Sequence, residues 1–167
     1  MIPAAKPLVG DEERAAVDRV LRSGMMAQGP EVKAFEEEFA EFVGGRRCIA
    51  VNSGTSALHL GFLAAGIKPG DEVIVPDLTW IASAQAAVTL GAKVVLVDSA
   101  SNSPCLDVDD VARAVTPRTK AILPVHFHGR SCDMDALKRL CKQRGIYLLE
   151  DACKAMFCRR GDSYLGT

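Results

Sequence analysis

The sequence predicts an α/β fold, a mostly parallel sheet with helices on both faces, and three observations carry that prediction. Short apolar runs rich in β-branched residues recur along the chain: CIAV (48–51), VIVP (73–76), VVLV (94–97), AILPV (121–125) and IYLL (146–149). They lack polar–apolar alternation, as expected of strands buried on both faces in a parallel sheet. Helical segments at 54–65, 79–90, 107–115 and 133–144 separate the runs. Starts and stops are legible, with Asp71, Asp107 and Asp133 near beginnings and Gly66, Gly91 and Gly145 at ends. Strand–helix alternation repeated this often implies one layered α/β sheet.

Two helices are expected ahead of the first run. Gly10-Asp11 followed by EERAAVDRVLRSG reads as a helix with Asp11 as cap, acids in its first turn, Arg22 in its last and Gly24 as stop. After the loop MMAQG, Pro30 suits the first turn of a second helix, EVKAFEEEFAEFVG. There Val32, Phe35, Phe39 and Phe42 recur every three or four residues, giving an apolar stripe opposite an acidic face. The organisation expected is an N-terminal helical segment over 1–45 and a sheet-bearing region over 46–167.

Composition narrows the function classes. The 167 residues are 49% hydrophobic and 25% charged, ordinary for a globular domain, and aromatics at 5% imply an aliphatic core. A net charge of −1 with interspersed signs argues against nucleic-acid or anionic-membrane partners, which call for a basic stripe. Neither a signal-peptide pattern nor an apolar run of membrane-spanning length is present. The six cysteines form no CxxC pair, so free thiols and a cytoplasmic location are expected.

Open parallel sheets bind ligands beyond the carboxyl ends of their strands, so the segments just after each run are the ones to read for chemistry. Asn52 to Leu58 (NSGTSAL) passes from a strand through small residues into a helix. Gly54 permits close approach, and the first helical N–H groups with the Thr55 and Ser56 hydroxyls could cup a phosphate. The same residues would serve a Ser/Thr-capped βα turn. No Walker-A lysine or GxGxxG accompanies them. Trp80, the only tryptophan, falls at a βα junction and is either core packing or a stacking platform. Glu150 and Asp151 directly follow a buried run, a costly place for acids unless they are satisfied. Such an acid can hold a cofactor ring nitrogen, cap a helix or bind a metal. His126 and His128 lack supporting ligands nearby; a loop over the ligand edge is expected there, and no metal site.

Taken in register, these pieces resemble a known family. GMMAQGPEV (24–32), VNSGTSAL (51–58), PGDEVIVP (69–76), LTWIASA from Leu78, TPRTKAILPVHFHG from Thr116, CDMDAL from Cys132 and LLEDACKA from Leu148 resemble the DegT/DnrJ/EryC1/StrS sugar-nucleotide aminotransferases. The resemblance implies the aspartate-aminotransferase-like type I fold and pyridoxal 5′-phosphate (PLP) as cofactor. It further implies transfer of an amino group from a donor such as glutamate to a keto-sugar nucleotide, and a homodimer in the full-length form. By resemblance, Gly54, Thr55 and Ser56 hold the cofactor phosphate, Trp80 stacks on the pyridine ring, and Asp151 is the catalytic acid paired with the ring nitrogen. The loop from Gly24 to Gly29 corresponds to a segment near the substrate and the dimer interface.

Two departures from the family pattern matter. Where the family carries Gln three residues after the acid, this chain has Lys154, a cation beside the expected cofactor ring that could either hold its phenolate or disturb proton balance. The family's Schiff-base lysine lies beyond the position matching Thr167, in a segment followed by a small C-terminal domain. Among the eight lysines here, at 6, 33, 68, 93, 120, 138, 142 and 154, only Lys154 falls near the expected cofactor. Residues 46–167 are therefore expected to be an incomplete PLP-binding large domain that does not transaminate by itself. The strand at 47–51 is expected to lack sheet partners. The alternatives are an inactive fragment, other PLP chemistry such as sugar dehydration, and a plain phosphate-binding α/β module.

Overall fold

A computed structural model describes residues 6–167. Contacts divide the chain into two units, residues up to 50 and residues 51–167. The first holds helices α1 (Asp11–Ser23) and α2 (Pro30–Phe42). Gly10, and not Asp11, is the N-cap of α1: the Glu13 carboxylate reaches back to accept the Gly10 N–H at 2.6 Å, and Asp11 becomes the first helical residue. Pro30 opens α2 as expected, and Phe35, Phe39 and Phe42 stack along it with ring centroids 5.8 and 6.4 Å apart. The run 48–51 forms no strand. Its Ala50 N–H is taken by the Glu36 carboxylate at 2.7 Å, so one backbone donor finds an acid on α2 in place of a ladder partner.

The second unit carries the sheet. In chain order it runs α3 (Gly54–Ala64), β1 (Glu72–Pro76), α4 (Ala82–Val88), β2 (Lys93–Val97), α5 (Val108–Ala114) and β3 (Thr119–Ile122). A short 3₁₀ turn (Phe127–Gly129), α6 (Met134–Arg144), β4 (Tyr147–Leu148) and a small hairpin of β5 (Arg159–Arg160) and β6 (Ser163–Tyr164) complete it. Strands β2-β1-β3-β4 are all parallel in that spatial order. The pleat sends Ile74 and Ile122 to one face, where they meet Val111 of α5 and Leu137 and Cys141 of α6. It sends Val73, Val75, Ala121 and Leu123 to the other, against Phe62 of α3 and Ala86 and Ala87 of α4. Helices thus cover both faces, as the unalternating runs require.

Helix ends follow the sequence cues. Asp107 caps α5 by accepting the N–H groups of Asp109 and Asp110, and Asp133 caps α6 by accepting that of Ala136. Gly145 ends α6 in the left-handed region at φ 66°. Asp71 starts no helix; its carboxylate accepts the Lys68 N–H in the turn before β1. The strand order reverses between β1 and β3, each of which has its next neighbour on the opposite side. Such a switch point leaves a crevice at the carboxyl ends of the two strands.

Candidate active site

Asp151 stands at that crevice. The ladder between β3 and β4 continues beyond their formal ends: Leu149 N–H donates to Ile122 O, Asp151 N–H to Pro124 O, and His126 N–H to Asp151 O. The backbone of Asp151 is therefore as firmly set as a strand residue. Its side chain is 6% exposed. One carboxylate oxygen accepts the Ser83 hydroxyl from α4 at 3.0 Å, and the other accepts the Cys153 N–H at 3.1 Å. No Lys, Arg or His among the described residues stands within ion-pair distance of it. A buried carboxylate with neutral donors and no cation is incompletely compensated and suits a protonated nitrogen arriving from outside.

The turn that follows brings in the second expected element. Gly54, first residue of α3, lies so close to Cys153 that a Cβ on it would sit 3.1 Å from the Cys153 sulfur. The glycine is what lets the α3 N-terminus meet the segment after Asp151. Ser53 caps α3 by accepting the Ser56 N–H at 3.1 Å, and the Ser56 hydroxyl donates to Asn52 at 2.7 Å. The Gly54 and Thr55 N–H groups belong to the first turn of an eleven-residue helix, its positive end, where no intrahelical acceptor exists for them. The stretch is a serine-capped helix start and not a βα turn, because the run ahead of it forms no strand. A cleft of about 450 Å³ opens beside it between α3 and α4, lined by Thr55, Ser56, His59, Leu60, Gln85 and Thr89.

Trp80 follows β1 at the same edge and is 74% exposed, which rules out core packing. Its carbonyl accepts the Ser83 N–H at 3.0 Å, tying the aromatic's turn to the helix that holds Asp151. Lys154 is exposed on the turn after Asp151. Gly129 packs on that turn, where a Cβ would lie 3.0 Å from the Cys158 sulfur and 3.8 Å from the Lys154 carbonyl oxygen.

Sequence reasoning missed the buried support. His126 is fully buried and accepts the Cys132 N–H at Nδ1 (3.2 Å), so its Nε2–H donates to Glu150 at 3.0 Å. Glu150 also accepts the Gly166 N–H at 3.0 Å. Burial pushes the Glu150 carboxyl up, but the His126 and Gly166 hydrogen bonds prevail and hold it below the usual carboxylate range. The 126–129 loop was expected at the ligand edge; it is there, but His126 points inward as a strut while His128 is exposed. Among the described residues no three His, Cys, Asp or Glu side chains gather as a metal-ligand set. A larger cleft, about 640 Å³, lies at the starts of α5 and α6, where Asp107 and Asp133 are already engaged as caps.

The sequence pattern of the DegT/DnrJ/EryC1/StrS aminotransferase family matches residues 7–167. The chain belongs to that family. It is 44% identical over 166 residues to the spore coat polysaccharide biosynthesis protein SpsC of Bacillus subtilis (strain 168), covering 99% of this chain and 43% of that protein. Among solved structures, 3-amino-5-hydroxybenzoic acid (AHBA) synthase superposes with a TM-score of 0.92 at 44% identity, over 97% of this chain and 43% of the synthase. NtdA from Bacillus subtilis, solved with bound cofactor PMP, superposes with a TM-score of 0.83 at 35% identity, over 87% of this chain and 34% of its own. The chain spans less than half the length of these relatives. The α/β architecture with a parallel sheet is that of the aminotransferase large domain, in part.

Proposed function

We propose that this chain is the cofactor-gripping part of a PLP-dependent aminotransferase that places an amino group, drawn from a donor such as glutamate, on a keto-sugar nucleotide. The observation that carries the reading is Asp151, a carboxylate buried at the switch point with neutral donors and, among the described residues, no ion-paired cation. The residues present fit the cofactor. Asp151 would pair with the ring nitrogen, Trp80 would cover a ring face, and the Gly54 and Thr55 N–H groups with the Thr55 hydroxyl would hold the phosphate, joined by the Ser56 hydroxyl once it turns from Asn52. When bound, PLP supplies an electron sink for the carbon that bears the amino group.

What the chain's own residues do is bind and orient. Asp151 would keep a proton on a ring nitrogen placed against it, because an anion fixed in a water-poor site stabilises a neighbouring cation. Trp80 offers a large apolar face that excludes water from one side. The α3 N-terminus contributes backbone donors and a positive partial charge to the phosphate. Lys154 adds a positive charge on the same turn. None of these groups is a Schiff-base lysine in the family pattern, so the chain supplies grip and polarity, and the lysine is a separate requirement.

Pyridoxamine 5′-phosphate (PMP), which needs no lysine linkage, tests the reading together with PLP. PMP should quench the fluorescence of Trp80, and Asp151→Asn should weaken that binding by about tenfold or more, as expected for losing a buried charged partner. PLP followed by borohydride should leave all eight lysines unmodified. A PLP adduct trapped on Lys154 would sink the division of labour proposed here and make Lys154 the cofactor's lysine.

A further inference from the structure

The geometry points to Ser83 as a positioning residue that, with Thr79, aims the Asp151 carboxylate at the cofactor and locks the stacking aromatic to it. This inference rests on the reading of Asp151 as the ring-nitrogen partner. Ser83 is 1% exposed, at the buried side of α4. Its hydroxyl has one proton, and that proton goes to Asp151, since an ionised carboxylate only accepts. The Thr79 hydroxyl lies 3.0 Å from the Ser83 oxygen. With the Ser83 proton committed, Thr79 must be the donor of that bond. The direction of the chain is thereby fixed, Thr79 to Ser83 to Asp151, with every link pointing toward the acid.

Two consequences follow from this polarity. First, Ser83 donates to one Asp151 oxygen and the Cys153 N–H to the other, with the Cys153 thiol also hydrogen-bonded to the carboxylate, which fixes the carboxylate plane with neutral donors alone and leaves it able to accept an incoming N–H. Second, Ser83 connects two parts of the site that are 68 positions apart in sequence. Its N–H donates to the Trp80 carbonyl while its hydroxyl donates to Asp151, so the turn bearing the aromatic and the strand end bearing the acid move as one. A fully buried serine on a helix otherwise packed with alanines has no need of a hydroxyl for packing; Ala82, Ala86 and Ala87 fill the neighbouring buried positions. The hydroxyl is used on Asp151.

The test follows PMP binding through Trp80 fluorescence in the wild type, Ser83→Ala, Ser83→Thr, Thr79→Val and Asp151→Asn. Residues of one hydrogen-bond network couple appreciably, so Ser83→Ala should weaken PMP about five- to tenfold and make the quench shallower as the ring loses its fixed tilt over Trp80. Ser83→Thr retains the hydroxyl and should restore both affinity and quench depth. Thr79→Val, one link further away, should give a smaller loss in the same direction. If Ser83→Ala binds PMP with wild-type affinity and quench while Asp151→Asn is weakened, the positioning role is overturned and the reading of Asp151 stands. Equal losses in Ser83→Ala and Ser83→Thr would also overturn it, because the site would then be sensitive to shape and not to the hydroxyl. If Asp151→Asn binds like the wild type, or the wild type shows no quench, the underlying reading of Asp151 fails, and the inference with it.

Discussion

An acid kept in a buried place without a cation constrains everything around it, and Cys153 records that constraint. The thiol stands beside Asp151, and burial first and the neighbouring carboxylate second push it up to about 11. Little of such a thiol is thiolate, the reactive form, near neutral pH. Cys153 should therefore alkylate slowly with iodoacetamide despite its exposure, and Asp151→Asn should speed the reaction severalfold by removing the charge that disfavours the thiolate. Peptide mapping of the alkylated chain measures this directly; an unchanged rate would separate Cys153 from the carboxylate. Asp151, Trp80 and the Gly54 to Ser56 turn were legible in the sequence because each is an unusual residue type just after an apolar run. Ser83 was not. In ASAQAAV a serine looks like one more small residue, and only the four-residue spacing from Thr79 hints at a shared helix face. His126 was legible as a histidine but not as a strut, since its partner Glu150 is 24 positions away.

At the level of elements, the parallel sheet was readable because β-branched runs buried on both faces carry no competing pattern. The edges were less so. The run 146–149 pairs formally only over Tyr147–Leu148, where β4 has a single neighbour. The helix expected from 79 begins at Ala82, since Thr79 and Trp80 are spent on the site's turn. The hairpin of β5 and β6 sits in charged sequence around Gly161 and Asp162 and gave no apolar signal. One acid was missed because it lies at the foot of a strand. Glu72 begins β1 at 1% exposure, and its carboxylate accepts the Thr116 hydroxyl at 2.5 Å and the Arg118 guanidinium at 2.8 Å, with the Lys93 amine 3.5 Å away. Thr116 foremost, and then Arg118, hold this carboxyl below the usual carboxylate range. A depressed native value means the stabilisation is fully present above the ordinary carboxylate range and is lost as pH falls through the depressed value. Thermal melts between pH 7 and pH 3 should accordingly show a steep acid limb, flattened in Glu72→Gln. The same slope in both proteins would place the acid sensitivity elsewhere.

For the whole molecule, the sheet-bearing unit leaves apolar surface where a complete layer would hide it. Leu60 and Leu63 of α3, Val88 of α4, and Trp80 and Ile81 before α4 are all exposed, as are Leu96 on β2 and Met156 and Phe157 on the turn after Asp151. Among the described residues, both outer strands, β2 and β4, pair on one side only. Scattered apolar side chains are ordinary on a protein surface, but their concentration along two helices beside open strand edges is what natural domains avoid. An isolated 167-residue chain should therefore be marginal, self-associating at micromolar concentration with a broad, scan-rate-dependent melt. Size-exclusion chromatography over a concentration series, run beside circular dichroism melts, reads both properties. A charged pair of substitutions on the exposed helix faces, Leu63→Lys with Val88→Glu, should shift the elution toward monomer without lowering helicity, because neither side chain belongs to the buried core. A sharp cooperative transition from a concentration-independent monomer would mean that these faces and edges satisfy one another, and the argument from exposed surface would fall.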